Sequence, residues 1–419
     1  MKPKLLLCLA LVLTGGLLGC STTKFNCSEV SAPGNFSWIA FNGKQLLFRN
    51  QLWDVESGKE IRQFATPPQI TVSNNVSHGY GFVVAVAFSP GGKRALTVTA
   101  QELGPEMTGP GPVQLWDVAS GRKLLEFKPD ERIDNARFLP DGNRILTASD
   151  GQKYPVQIWD AKTGQRLLAL RERPVSPYAA QIASFSPDGR LIATEGSAGT
   201  SGHYYATVNL RDSFSGRKIC TIVDTTNSFF DLALFSPDGK SILTRESILQ
   251  KDVRGVITNS QPMATLWDVK TGRRIRDFAQ DCPMLFMPDG RQIICAGNQC
   301  TIHLRDVKSD NAIRQFVIPG FADGWRVDKI ALSHDGKRLV VQYIAPTPTG
   351  TKIIVALWNT DTGKLIKQFD AGQAMVWSQL VGFSPEGECF LLFDKSGKPA
   401  LYDGDYGTRL KVLEHFQQP

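Results

Sequence analysis

Residues 231–278 decide the fold of this chain: they open with Asp231-Leu-Ala-Leu-Phe-Ser-Pro-Asp-Gly-Lys240 and close with Leu266-Trp-Asp-Val-Lys-Thr-Gly-Arg-Arg-Ile-Arg-Asp-Phe278. The opening segment predicts a strand that runs into a tight turn, because Pro237 fixes φ and Gly239 permits a positive φ. The closing segment predicts a strand, a second tight turn at 270–272 and a further strand. Variants of this unit can be found eight times, so the chain is built from one repeat rather than from unrelated domains.

The closing half of the unit carries the strongest periodic signal. Its first strand ends in a characteristic pair, which occurs as Trp53-Asp54, Trp116-Asp117, Trp159-Asp160, Arg211-Asp212, Trp267-Asp268, Arg305-Asp306, Trp358-Asn359 and Tyr402-Asp403. Five residues after the first member of the pair comes Gly in seven copies and Asp310 in the sixth. Three residues beyond this turn position lie Ile61, Leu124, Leu167, Ile219, Ile275, Ile313, Ile366 and Leu410. Six residues beyond it lie Phe64, Phe127, Leu170, Ile222, Phe278, Phe316, Phe369 and Leu413.

Both of these positions are apolar in every copy, and offsets of three and six point to opposite faces of a regular strand. We therefore expect this last strand of the unit to be covered on both faces. Small sheets stacked radially around an axis meet that demand, since each sheet is sandwiched between its neighbours.

The opening half recurs as a second tight turn. Its variants are Phe88-Ser-Pro-Gly-Gly92, Phe138-Leu-Pro-Asp-Gly142, Phe185-Ser-Pro-Asp-Gly189, Phe235-Ser-Pro-Asp-Gly239, Phe286-Met-Pro-Asp-Gly290, Leu332-Ser-His-Asp-Gly336, Phe383-Ser-Pro-Glu-Gly387 and a shortened Phe41-Asn-Gly43. Together the two turns resemble the WD-repeat β-propeller family over residues of about 36–413. The resemblance implies an all-β fold, a single propeller of four-stranded antiparallel blades with strands a to d running from channel to rim. The family's Gly-His element is missing from most copies, and only His78-Gly79 echoes it.

Eight blades are the first expectation, and seven are the alternative. The first copy is compressed, because residues 45–53 leave almost no room for a hairpin between strands b and c. In a seven-bladed ring, residues 36–64 would form an irregular extra layer. The last copy carries its own strand d over 408–413, so closure of the ring does not require an exchanged terminal strand.

Variation in length falls on one end of the predicted blades. The a–b and c–d turns are tight and nearly constant, whereas the connections at the opposite end vary widely. The long b–c inserts are 100–112, 195–206, 245–264 and 343–355, and the d–a connection 65–81 is long as well. Insertions confined to one face mark the usual binding face of a repeat array.

Aromatic and basic residues at that end of the central strands predict a recognition patch for a protein partner, because such side chains are enriched in interaction hot spots. The patch residues are Tyr80, Tyr178, Phe229, Phe230, Trp325, Arg326 and Trp377. The alternative is that most of these side chains plug the channel or pack beneath loops.

The N-terminus predicts export and a lipid anchor. Residues 1–19 combine Lys2 and Lys4 with a short apolar run, which is typical of a secretory signal peptide. Leu17-Leu18-Gly19-Cys20 resembles the bacterial lipoprotein box, which implies cleavage before Cys20 and acylation of Cys20 by fatty acids such as palmitate. Ser21 in place of Asp implies the outer membrane of the cell envelope. Residues 20–35 then form a tether, and residues 36–419 the propeller.

Composition gives no sign of other chemistry. The net charge of +7 is mild and no Lys/Arg run predicts a nucleic-acid partner. None of the five His lies at metal-ligand spacing, and no nucleophile elbow or phosphate-binding glycine loop occurs, so we expect no catalytic residue, metal or cofactor. Export permits disulfides, and Cys282, Cys295 and Cys300 suggest one, unless they are small buried hydrophobic residues.

These observations favour a non-catalytic, lipid-anchored propeller scaffold that binds a protein partner of the cell envelope and faces the periplasm. The alternative is a propeller that binds a small molecule or envelope glycan, with or without hydrolysing it, at the mouth of the channel. An outer-membrane assembly scaffold is a third reading, by analogy with other eight-bladed lipoprotein propellers. Function resides in the site that a fold carries, so the repeat alone does not choose among them.

Overall fold

Eight four-stranded antiparallel sheets form a ring in the computed structural model of this chain. The structure describes residues 39–64, 82–104, 107–130, 132–133, 135–149, 156–171, 183–200, 203–223, 228–251, 257–278, 282–297, 300–322, 324–348, 350–373, 380–384, 386–393 and 398–412. Each sheet is a meander whose strands pair in chain order, and each is one blade. The expected all-β propeller with eight blades is therefore confirmed, and the seven-bladed alternative is excluded.

The first four blades contain sixteen strands. Blade 1 is β1 (Ile39–Phe41), β2 (Gln45–Phe48), β3 (Gln51–Asp54) and β4 (Glu60–Gln63). Blade 2 is β5 (Phe82–Phe88), β6 (Arg94–Gly104), β7 (Met107–Asp117) and β8 (Lys123–Phe127). Blade 3 is β9 (Asn135–Phe138), β10 (Arg144–Ala148), β11 (Val156–Asp160) and β12 (Arg166–Leu170). Blade 4 is β13 (Ala183–Phe185), β14 (Leu191–Thr200), β15 (His203–Asp212) and β16 (Lys218–Val223).

The remaining four blades continue the pattern. Blade 5 is β17 (Ser228–Phe235), β18 (Ser241–Lys251), β19 (Ile257–Asp268) and β20 (Arg274–Phe278). Blade 6 is β21 (Cys282–Phe286), β22 (Gln292–Ala296), β23 (Ile302–Asp306) and β24 (Ala312–Phe316). Blade 7 is β25 (Arg326–Leu332), β26 (Arg338–Thr347), β27 (Gly350–Asn359) and β28 (Leu365–Gln373). Blade 8 is β29 (Leu380–Phe383), β30 (Cys389–Phe393), β31 (Pro399–Asp403) and β32 (Arg409–Val412).

The compressed first copy forms a complete blade after all. Phe48 pairs with Gln51, so only Arg49 and Asn50 remain to connect β2 to β3. Arg49 adopts a positive φ of 53°, which a two-residue hairpin requires and a non-glycine residue tolerates uncommonly. Blade 1 is thus small because its b–c hairpin is as short as an antiparallel pair allows.

The core lies between the blades rather than within them. The middle strands are buried on both faces, as in β30, where all five residues are buried. Apolar clusters fill the eight successive blade interfaces, for example Leu46, Trp53, Leu391 and Phe393 between blades 8 and 1. Because that interface joins the two ends of the chain, blade 8 closes the ring by packing on blade 1, without an exchanged strand.

Both tight turns are held by short polar side chains. In the c–d turns an Asp carboxylate accepts the backbone N–H three residues further on, as Asp268 does from Thr271 at 2.7 Å. In the a–b turns a Ser or Asp side chain does similar work, since Ser236 Oγ accepts the N–H of Ser241 at 2.9 Å. The sixth copy keeps the left-handed turn without glycine, because Asp310 adopts a φ of 61°.

Strand d leans onto the following blade. Arg62 Nη2 donates to the carbonyl of Ala119 at 2.7 Å, and Arg314 Nη1 donates to that of Thr360 at 2.6 Å. Arg276 reaches Lys308 in the same way, and Lys411 of the last blade donates to Glu56 of the first. Each donor lies four residues after its own c–d turn position and contacts the next c–d turn. A repeated latch thus links neighbouring blades and crosses the closure of the ring.

The prediction that strand d is covered on both faces is wrong at one of its two apolar positions. At the sixth residue beyond the turn, Phe64, Phe278 and Phe316 are no more than 2% exposed. At the third, the residues are exposed: Ile61 38%, Leu124 40%, Leu167 50%, Ile219 40%, Ile275 52%, Ile313 43% and Leu410 54%, while Ile366 is half-buried. The twist of each sheet turns its outer strand towards the following blade, and the face towards the preceding blade stays open at the rim.

Candidate functional site at the two ends of the channel

One end of the ring carries raised β-hairpins, and we call it the hairpin face. It comprises the d–a connections and the b–c hairpins β6–β7, β14–β15, β18–β19 and β26–β27, which belong to blades 2, 4, 5 and 7. The pairing of β18 with β19 extends from Ser241↔Asp268 to Lys251↔Ile257, far beyond the five pairs of β10 with β11 in blade 3. The described parts of the four predicted inserts are therefore antiparallel extensions of the blades, and they rise on the predicted end.

The predicted recognition patch is only partly within the described residues. Tyr80, Tyr178 and Trp377 lie outside them, as does the side chain of Phe229. Phe230 contradicts its predicted role: it is fully buried in the apolar cluster between blades 4 and 5. A β-bulge at Asp231 follows Phe230 on β17. The bulge turns the Phe230 ring into the interface between the blades instead of into solvent.

Trp325 and Arg326 lie on the hairpin face, where strand a of blade 7 begins, and both are half-buried. The Trp325 ring stands edge-on to Phe321, with centroids 6.3 Å apart, and 6.5 Å from the ring of the fully buried Tyr343. This packing places Trp325 against the b–c hairpin of blade 7. Of the predicted patch, these two residues are the ones that the described structure places where a partner can touch them.

A buried polar link joins blades 7 and 8. Gln342 Nε2 donates to Asp328 Oδ2 at 2.6 Å, and Gln342 Oε1 accepts the backbone N–H of Leu380 at 2.8 Å. Asp328 is the bulged residue of β25, which turns its carboxylate away from the ladder. Burial raises the pKa of Asp328, and burial lowers the pKa of the neighbouring Lys329 to about 7, against the attraction of Asp328. The link fixes strand a of blade 8 against strand b of blade 7.

The predicted disulfide is not formed. Cys295 and Cys300 are buried and form no disulfide bond, and the side chain of Cys282 lies outside the described residues. Cys295 belongs to the cluster between blades 5 and 6, whereas Cys300 belongs to the cluster between blades 6 and 7. The two thiols therefore point to opposite faces of blade 6 and cannot meet. The alternative reading, of small buried hydrophobic residues, describes both, and burial raises the pKa of Cys300 to about 12.

The opposite end, which we call the turn face, comprises the a–b and c–d turns. It contains a cavity of about 1060 Å³ at the mouth of the channel, lined by strand a and turn residues of blades 1, 2, 3 and 8. The cavity borders the shortened turn of blade 1, where four residue steps lead from Phe41 to Gln45 against six from Phe88 to Arg94 in blade 2. The shorter turn leaves room that the standard turn fills in other copies.

The sequence did not predict this cavity, because the long inserts indicated a site at the hairpin face. Two local signals point to it in retrospect. One is the shortened turn at 41–43, and the other is Arg137, a charge in a strand position that is uncharged in every other copy. A missing segment can create a concave surface as well as an inserted one.

No group of three or more His, Cys, Asp or Glu side chains in the described residues could hold a metal ion. In the same part of the chain, no helix combines the length and apolar character needed to cross a bilayer.

Comparison with known proteins supports the fold. No protein-family model matches the chain, and no curated protein matches its sequence. The computationally designed protein Ika8 is similar in structure, with a TM-score of 0.56 and 15% identity over 90% of this chain and 99% of that chain. Hydrazine synthase of Kuenenia stuttgartiensis aligns with a TM-score of 0.49 and 15% identity over 93% of this chain and 99% of that chain.

Proposed function

We propose that this chain is a non-catalytic scaffold of the bacterial cell envelope that binds a protein partner through its hairpin face. The observation that carries the proposal is the restriction of four raised hairpins to one end of an otherwise regular ring. A propeller is a rigid disc, and loops or hairpins that vary on a constant scaffold are the usual place for recognition. Trp325 and the neighbouring Arg326 lie at that end beside the blade 7 hairpin, and both are residue types typical of hot spots.

The proposal includes membership of the WD-repeat type. Three Trp residues of the repeated pairs donate their indole N–H to a Thr on strand b: Trp116 to Thr97, Trp159 to Thr147 and Trp267 to Thr244, at 2.8 to 2.9 Å. The Asp of the same pairs closes the c–d turn. The pair thus has a structural reason for its repetition, which supports the resemblance.

We also propose that the scaffold is anchored to the outer membrane through acylated Cys20. The support is the sequence Leu17-Leu18-Gly19-Cys20 behind a basic and apolar start. The first strand of the ring begins at Ile39, nineteen residue steps after Cys20, and these steps span at most about 65 Å when extended. That reach lets the disc work close to the membrane surface while it remains outside the bilayer.

Proximity cross-linking in membrane fractions tests the partner proposal. One variant replaces residues 247–262 with Asn-Gly, which closes the blade 5 hairpin next to the pair Glu246↔Met263. A second carries Trp325→Ala and Arg326→Ala together. The control is Lys162→Ala in a c–d turn of the turn face. We expect the first two variants to lose the cross-linked partner and the control to keep it. Retention of the partner by both hairpin-face variants would rule the proposal out.

Metabolic labelling with palmitate tests the anchor separately. We expect label in the wild-type chain and none in Cys20→Ala, which should also leave the membrane fraction. Unlabelled wild-type protein would remove the anchor while leaving partner binding open.

A further inference from the structure

The cavity on the turn face contains two side chains whose donors are not used by the fold. Asn135 and Arg137 are separated by Ala136 on β9, so they project from the same side of the strand, and both line the cavity. Ala136 also borders the cavity, but its side chain belongs to the cluster between blades 2 and 3. Among the described residues, neither Asn135 nor Arg137 makes a side-chain hydrogen bond or ion pair. An Arg offers five N–H donors, so this arrangement leaves substantial hydrogen-bonding capacity open to a ligand.

Arg137 is unique at its level of the channel. The residue before the strand-ending Phe or Leu is uncharged in the other copies: Ala40, Ala87, Ser184, Leu234, Leu285, Ala331 and Gly382. Three of these, Ala40, Ala87 and Gly382, line the same cavity and leave space around the guanidinium. The Arg137 guanidinium makes a cation–π contact with the Phe185 ring, whose centroid lies 5.2 Å from Cζ. A ring face orients a guanidinium but does not neutralise its charge.

The charges around the cavity favour an anion over a cation. Lys44 and Lys93 are exposed at its rim, and neither forms an ion pair with a described residue. Asp54 and Asp117 also line it, but their carboxylates accept hydrogen bonds from Ser57 and Ser120 within their own turns. Exposed Glu386 is the remaining acidic residue of the lining. The two Lys side chains thus have fewer interactions with the protein than the two Asp carboxylates. Burial lowers the pKa of Arg137 to about 10, so the group stays charged at neutral pH.

We propose that the turn-face mouth of the channel binds a small organic anion, with the Arg137 guanidinium and the Asn135 amide holding its carboxylate or phosphate group. The planar fork of Arg matches two oxygens of either group, and the amide adds a third donor. The cavity volume of about 1060 Å³ admits a ligand with a body as well as a charged end. This site is separate from the hairpin face and goes beyond the proposed scaffold function.

Calorimetric titration of the purified full-length chain in detergent tests the proposal. The probes are inorganic phosphate, succinate and, as the uncharged analogue, succinamide. We expect phosphate or succinate to bind and succinamide not to bind, and the stronger of the two names the chemistry of the ligand. Arg137→Ala should weaken binding about tenfold or more, because it removes a bidentate charged contact. Arg190→Ala is the matched control, since Arg190 is an exposed Arg on the same face, remote from the cavity lining.

Folding of the variant is checked by its melting temperature. Ala stands at this position in blades 1, 2 and 7, so Arg137→Ala fits the fold and should melt no lower than the wild type. Modification by phenylglyoxal tests the site in the wild-type chain without a variant. We expect the bound probe to protect Arg137 from modification, as measured by mass spectrometry. Absence of binding by both anions, equal binding by Arg137→Ala, or unprotected Arg137 in the presence of saturating probe would each overturn the proposal.

Discussion

The two faces of the ring follow opposite rules. On the turn face the blades repeat the same short turns, apart from the shortened a–b turn of blade 1, and the turn carboxylates accept hydrogen bonds from neighbouring N–H and hydroxyl groups. Towards the hairpin face the blades differ in length, and both carboxylate oxygens of the buried Glu195 lack a hydrogen-bond partner among the described residues. The turns at one end therefore hold the ring together, and the hairpins at the other end can differ in length from blade to blade.

The protonation behaviour of the carboxylates shows the same contrast. On the turn face, hydrogen bonds lower the pKa of Asp117: the larger effect comes from the Ser120 hydroxyl and the next from the Ser120 N–H. Such a group stabilises the fold above its unfolded pKa of 3.8, and the contribution is lost as the pH falls through the folded pKa. Burial raises the pKa of Glu195, at the base of the blade 4 hairpin, from 4.5 to about 8. Its folded state therefore binds more protons than its unfolded state between these two values.

The largest expected effect follows from Glu195. Stability should fall by about 1.4 kcal/mol per pH unit between about pH 4.5 and 8, because in this range the unfolded state loses the Glu195 proton while the folded state keeps it. Glu195→Gln should remove most of this slope, and denaturant unfolding at pH 5, 6.5 and 8 measures it. Glu56→Gln replaces an exposed carboxylate and should keep the wild-type slope. A slope unchanged in Glu195→Gln would contradict the contrast between the two ends.

A glycine on the turn face should have the next largest effect. Gly216 has a φ of 70°, and an added Cβ would lie 2.6 Å from Leu168 Cδ1 of the preceding blade. Gly216→Ala should cost about 2 kcal/mol, from the left-handed backbone and from displacement of Leu168. Gly239→Ala is the matched control, with a φ of 69° but the nearest atom at 3.7 Å, and should cost about 1 kcal/mol. Equal losses in urea unfolding would show that the contact between blades adds nothing.

Removal of a turn carboxylate should have a smaller effect. Asp268 accepts the Thr271 N–H at 2.7 Å and the Thr271 hydroxyl at 2.6 Å. Asp268→Ala should lower stability by about 1 kcal/mol, since the exposed donors regain water. Thermal unfolding measures the loss, and Lys270→Ala in the same turn should change little. An effect as large as that of Gly216→Ala would mean that the local hydrogen bonds, not the contacts between blades, dominate this face.

Trimming of the hairpin face should have the smallest effect on stability. Replacement of 247–262 by Asn-Gly removes the outer part of the blade 5 hairpin and leaves the pairs from Ser241↔Asp268 to Glu246↔Met263. We expect the free energy of unfolding to change by less than about 1 kcal/mol, because loop length affects stability only slowly. A loss of several kcal/mol would show that this hairpin is part of the core and would blur the distinction between the two faces.

Some of the candidate site could be predicted and some could not. The inserts located the hairpin face, because their lengths vary against constant turns. Phe230 could not be placed from sequence, since a bulge at Asp231 decides which side of the strand it occupies. The pairing of Cys295 with Cys300 failed for a related reason, because the two residues fall on opposite faces of one blade. The cavity beside Phe41 escaped notice because it arises from missing chain.

The number of copies, the four strands of each copy and the two tight turns could be predicted from the sequence. These features depend on local chemistry: Pro and Gly dihedrals, Asp and Ser acceptors, and apolar periodicity. Which apolar positions of strand d are buried depends on how neighbouring blades pack in the ring. The twist of each sheet leans strand d onto the following blade, so Phe64 is buried while Ile61 stays 38% exposed. Arg137 likewise acquires its meaning from the ring, since only the ring surrounds it with Ala40, Ala87 and Gly382 from three other blades.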